Sequence, residues 1–195
     1  MRTAKVERKT GETEISVELN LDGTGKRNID TGIGFFDHML DLFAKHGLFD
    51  LNIICKGDLQ IDSHHTIEDV GIVLGTAFDK AIQDKKGIKR YGQRMLPMDE
   101  VLCLCAVDFC GRPYLVMDAE FNNDKINDFA TECVEEFFYG FTMNSKINLQ
   151  LKIFNGKNDH HKVEAMFKAF ARAMREACEM DPRTIGEIPS TKGVL

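Results

Sequence analysis

The sequence predicts an α+β fold made by internal duplication: two similar half-domains, each a small, mostly antiparallel sheet covered by two helices. Three observations carry this. An alternating strand, a glycine turn and a helix opening on HHxxE occur twice, over residues 50–69 and 148–165. A stretch with apolar residues near the helical period precedes each copy, over 35–46 and 131–145. The chain has 195 residues, 43% of them hydrophobic, enough for a core without suggesting disorder.

The elements follow in order. Residues 5–9 and 14–21 alternate as strands, and the latter run ends at the turn Asp22-Gly23-Thr24-Gly25. After helix 35–46 and the first repeated strand, Ile67, Val70, Leu74, Ala77, Phe78 and Ala81 recur with helical spacing behind Asp62 or Ser63 as N-cap, and Gly87 is placed to stop the helix. The halves are expected to join near 91–97. Residues 101–109 and 114–121 read as strands around the turn Gly111-Arg112-Pro113. Behind Asn158 or Asp159, the residues Val163, Phe167, Phe170, Ala171 and Met174 mark the last helix. The resulting division is 1–92, 93–181 and an irregular arm over 182–195, rich in Pro, Gly, Ser and Lys.

Charge and cysteines narrow the function. A net charge of −6 argues against binding a nucleic-acid backbone, which needs a concentrated cationic face, so any bound phosphate should be small. No apolar run is long enough for a signal peptide or a membrane span, and a cytoplasmic location is expected. The six cysteines read as reduced thiols; Cys103 and Cys105 alternate onto one strand face, and no CxxC pair suggests a zinc ribbon.

Six histidines occur, four of them in the two HHxxE motifs and two, His38 and His46, in the helix before the first. A lone histidine is often a hydrogen-bonded core or surface residue, whereas packing alone would place apolar side chains at duplicated positions. On a helix the second His and the Glu, three residues apart, are expected to share a face, with the first His about 100° away. Two copies related by an approximate twofold then exchange ligands, each ion taking His and Glu from one copy and the leading His from the other. Imidazole and carboxylate without thiolate suit Mn or Fe(II), with Zn possible and Mn the first choice.

The runs Thr31-Gly32-Ile33-Gly34-Phe35-Phe36-Asp37-His38-Met39-Leu40, Asp62-Ser63-His64-His65-Thr66-Ile67-Glu68-Asp69, His160-His161-Lys162-Val163-Glu164-Ala165 and Ser190-Thr191-Lys192-Gly193 resemble, in order and spacing, the imidazoleglycerol-phosphate dehydratase family. The resemblance implies dehydration of D-erythro-imidazole-glycerol phosphate to imidazole-acetol phosphate in histidine biosynthesis, two Mn2+ ions per active site, and a 24-subunit shell with sites between subunits. It assigns one ion to His38, His65, Glu68 and His160, and the other to His64, His161, Glu164 and Glu136. At Glu136 many members have His; a carboxylate is still an acceptable hard ligand, and neighbouring Glu135 is an alternative.

The same resemblance places the substrate phosphate on Arg90, Arg112, Ser190 and Lys192, with Thr191 between them. It sets Glu12 and His46 beside the reacting carbons. Glu12, His46, Glu68 and Glu164 form the implied catalytic group, and the metal-holding histidines, with Glu68 and Glu164, also line the substrate. The chemistry expected is loss of hydroxyl from the ring-adjacent carbon through an imidazolate and a diazafulvene-like intermediate, with Glu12 taking the carbon-bound proton and His46 protonating or holding the leaving hydroxyl. The competing readings are a dinuclear phosphohydrolase and a metal-binding module without catalysis.

Overall fold

The structure, a computed structural model, describes residues 1–195. Its first half runs β1 (Thr3–Lys9), β2 (Thr13–Asn20), β3 (Arg27–Asp30), α1 (Gly34–Gly47), β4 (Asp50–Gly57) and α2 (His64–Ile82). The second runs β5 (Tyr91–Met98), β6 (Val101–Asp108), β7 (Tyr114–Asp118), a short β8 and β9 pair (Lys125–Ile126 and Phe129–Ala130), α3 (Cys133–Ser145), β10 (Asn148–Asn155) and α4 (Asp159–Cys178). The sheets have the orders β1-β2-β4-β3 and β5-β6-β10-β7. In both, the first two pairings are antiparallel and the last is parallel. Apart from the inserted β8 and β9, the second half therefore repeats the topology of the first.

Alternation explains the layers. In β2, Thr13, Ile15, Val17 and Leu19 are buried while Glu14 and Glu18 are exposed, and in β6 Val101, Cys103, Cys105 and Val107 point inward. The buried faces of the two sheets enclose the helices: α2 packs on β1 and β2, α4 on β5 and β6. Across the middle α2 packs on α3 and α1 on α4, so each contact joins the two halves. Phe43 stacks on Phe170 with centroids 5.1 Å apart, and Phe137 on Phe167 at 5.0 Å. One continuous core of 50 buried residues spans both halves. All six cysteines are free and buried.

Several expectations from sequence are corrected. The stretch expected as a joint, 91–97, is strand β5, and the connection is the loop before it. β5 escapes the pattern because its outer side carries Tyr91 and Met95 as well as polar groups, and Pro97 is tolerated because the strand lies at the sheet edge. The four-residue β3 is too short to show alternation. Gly87 does not end α2; the helix stops at Gln83, whose φ of 57° turns the chain away, while Gly87 donates to the Glu187 carbonyl at 2.7 Å and ties down the C-terminal arm.

Candidate metal centre and active site

His38 projects from α1 because Phe35, Phe36, Met39 and Leu40 around it turn into the core. The start of α1 is fixed by Asp37, which accepts from the Thr31 amide at 2.9 Å and the Thr31 hydroxyl at 2.6 Å. Asp128 accepts from the Gly34 amide at 3.1 Å, satisfying one free donor of the helix terminus. At α4, the Asn158 side chain caps the His161 amide at 3.3 Å. A buried Asp159–Lys162 pair at 2.9 Å anchors the first turn of α4, and Asp159 also accepts from the Asn122 and Asn123 amides, each at 2.9 Å.

These anchors bring His38, His160 and Glu164 together, one ligand atom from each lying within 4.8 Å of the others. Glu164 Oε2 is 3.1 Å from His160 Nε2 and 3.7 Å from His38 Nε2. Burial pushes the Glu164 carboxyl up, but Lys168, at 2.5 Å, and His160 outweigh it, and the net shift is downward. Lys168 was not singled out in the sequence; its signal was helical spacing, one turn after Glu164.

The first repeat holds the matching pair, His64 Nε2 and Glu68 Oε2, at 3.6 Å. α1 and α3 end at the left-handed C-caps Leu48 and Lys146, and the same number of residues before each stand His38 and Glu136. α3 runs close to α2 there: a Cβ on Gly140, one turn beyond Glu136, would sit 2.9 Å from the Glu68 carbonyl. Glu136 is thus the counterpart of His38 by position. A groove of about 590 Å³ opens beside His64, lined also by Gly32, Asp62, Lys125, Asp128 and Cys133.

The pairing within each motif differs from the sequence expectation. It is the leading His that meets the Glu, because four residues leave an angular offset of about 40° on a helix and three leave about 60°. The trailing histidines face elsewhere. His65 Nδ1 lies 3.1 Å from both oxygens of Asp58, and its Nε2 is 3.7 Å from Glu12. His161 Nδ1 lies 2.8 Å from Glu100, and its Nε2 is 3.6 Å from Asp99. Within one chain, therefore, His38, His160 and Glu164 form one cluster. Hydrogen bonding to Asp58 and to Glu100 raises the pKa of His65 and His161 respectively. Two backbone amides, Asn158 first, and His161 hold Glu100 down to about 2.

Glu12 sits in the β1–β2 turn, where the Thr10 hydroxyl accepts from the Glu12 amide at 3.1 Å and the Thr13 amide at 3.0 Å. Thr13 in turn donates to the buried Asp69 on α2. His46 is half-buried on α1, and burial, with Lys168 and Arg172 nearby, lowers its pKa. Arg90 grips Asp108 with two nitrogens, at 2.7 and 3.2 Å, and donates to the Pro189 carbonyl at 2.8 Å, holding the arm just before Ser190. The Ser190 hydroxyl accepts from the Lys192 amide at 3.2 Å; Arg112, Thr191 and Lys192 are exposed.

Fold and site together define an internally duplicated α+β protein with a histidine–carboxylate cluster suited to a divalent cation. Residues 31–174 match the family model described as imidazoleglycerol-phosphate dehydratase. The imidazoleglycerol-phosphate dehydratase of Acetivibrio thermocellus is 57% identical over 194 residues, covering 100% of this chain and 99% of that protein. That of Caldanaerobacter subterraneus is 57% identical over 195 residues, covering 100% of each. The crystal structure of the Staphylococcus aureus enzyme superposes with a TM-score of 0.84 at 38% identity, covering 92% of this chain and 99% of that one. The chain belongs to the imidazoleglycerol-phosphate dehydratase family, hydro-lyases that dehydrate imidazoleglycerol phosphate in histidine biosynthesis.

Proposed function

We propose that the chain converts D-erythro-imidazole-glycerol phosphate to imidazole-acetol phosphate in the cytoplasm, using two Mn2+ ions per active site completed between subunits of a 24-mer. The observation that carries the metal reading is the convergence of His38, His160 and Glu164. The donors fit the ion: imidazole nitrogen and carboxylate oxygen, with every thiol buried away as a free cysteine. His64, Glu68 and Glu136 would provide the matching set. His65 and His161, with Nε2 turned away from their own motif's Glu, would act as ligands to sites shared with another copy. No helix of the structure is long and apolar enough to cross a membrane.

When bound, the ions supply Lewis acidity that favours the imidazolate form of the substrate ring, as a metal lowers the pKa of bound water. Glu12 takes the proton from the carbon that follows the one losing its hydroxyl, and the Thr10 hydroxyl, accepting from the Glu12 and Thr13 amides, sets the backbone from which it reaches. His46, whose pKa is lowered by burial and by Lys168 and Arg172 nearby, holds the departing hydroxyl by a hydrogen bond. Arg90, Arg112, Ser190, Thr191 and Lys192 bind the phosphate, and Arg90 also holds the arm that bears three of them. The test is chelation: a metal-free preparation should form no imidazole-acetol phosphate, and Mn2+ should restore it, with light scattering reporting assembly in both states. Full turnover in verified metal-free protein would end this reading.

A further inference from the structure

Each trailing histidine has its Nδ1 against a carboxylate that lies outside its own helix. Asp58, in the loop between β4 and α2, faces His65 with both oxygens at 3.1 Å, and Glu100, in the β5–β6 turn, faces His161 at 2.8 Å. The two carboxylates come from different loops, so the arrangement is not a copied local sequence; both halves arrive at the same contact by different routes. An ionised carboxylate only accepts, so the hydrogen of the neutral ring sits on Nδ1 and the lone pair on Nε2. The ring plane is fixed at the same time.

We infer that Asp58 and Glu100 are positioning residues that set the tautomer and orientation of His65 and His161 for a divalent cation at Nε2. This rests on the reading of those histidines as metal ligands. Carboxylates behind ligating imidazoles raise ligand basicity, and losing one typically costs about 10–100-fold in metal affinity. Asp58 is the cleaner probe, because its side chain accepts only from His65, whereas Glu100 also binds the Lys157 and Asn158 amides at 3.1 and 2.9 Å and so supports the start of α4.

The experiment titrates Mn2+ into the metal-stripped full-length protein and reads free ion by its electron paramagnetic resonance signal. Asp58→Ala should raise the Mn2+ dissociation constant about 10–100-fold. Asp58→Asn, whose amide oxygen still accepts from Nδ1, should recover part of that loss. The melting temperature of the metal-free variants should stay at the wild-type value. His65→Ala serves as the reference. If it loses one class of ion while Asp58→Ala binds Mn2+ with wild-type affinity, the inference falls and the ligand reading stands; if His65→Ala binds as wild type, both fall.

Discussion

Glu164 Oε2 lies 3.1 Å from His160 Nε2, one helical turn away, and within 3.7 Å of His38 Nε2 on another helix. The contact ties the last helix of the second half to the first helix of the first. Three donors therefore converge without any help from the trailing histidine of the motif. Lys168 compensates the carboxylate's charge.

Glu164→Gln keeps the shape and removes the charge that a cation needs. It is expected to lower bound Mn2+ and reduce turnover at least about tenfold, since a direct ligand should matter no less than its supporting neighbours. Elemental analysis beside the dehydration assay checks both; wild-type metal content would remove Glu164 from the ligand set.

The histidine–carboxylate residues were legible because duplication set HHxxE against a helical period in both halves. Their partners were not. Which His meets the Glu depends on helical phase, and the trailing His65 and His161 turn to Asp58 and Glu100, the second contact spanning 61 positions. The strands β2, β4, β6 and β10 were readable from one-sided burial, whereas the edge strand β5 carries apolar residues outward and hides its period. The resemblance named Glu136 as a ligand, but its correspondence with His38 became visible only in the matched C-caps Leu48 and Lys146.

Glu12→Gln removes a base and leaves the Thr10–Thr13 turn able to form. Turnover should fall by about 10²–10⁴ with metal content unchanged, the usual scale of general-base assistance. Thr13→Val, which loses the hydroxyl bonded to Asp69, should also slow the wild-type enzyme but add little in the Glu12→Gln background. Steady-state rates of the four proteins check the coupling; additive losses would show that Thr13 acts independently of Glu12.

The helix layer depends on close backbone approach. A Cβ on Gly71 would lie 2.5 Å from the Phe137 carbonyl oxygen, and one on Gly75 would lie 2.4 Å from that of Phe141. Backbone cannot swing aside as a long side chain can, so Gly71→Ala must push α2 from α3. A loss of about 1–3 kcal/mol is expected, as for other overpacked cores. Thermal unfolding of the variant beside an exposed control such as Gly11→Ala, where a Cβ would meet nothing within 4 Å, measures it.

Acid should loosen the N-terminal strand from the last helix. Arg2 pairs with Asp22 and donates to the Cys178 carbonyl at 2.5 Å, so one guanidinium joins the end of β2 to the end of α4. The hydrogen bond from Arg2 holds the Asp22 carboxyl below its ordinary value of 3.8 despite partial burial. A carboxyl depressed in the folded state binds protons more readily when unfolded. Its contribution is therefore complete above pH 3.8 and drains away as pH falls through the lower folded value. Arg2→Ala removes the cause of the depression, so the variant should lose stability relative to wild type at neutral pH, with the gap narrowing below pH 3.8. Denaturant midpoints of both proteins at pH 7 and pH 3 measure that gap. A difference independent of pH would assign the role of Arg2 to the Cys178 carbonyl contact rather than to Asp22.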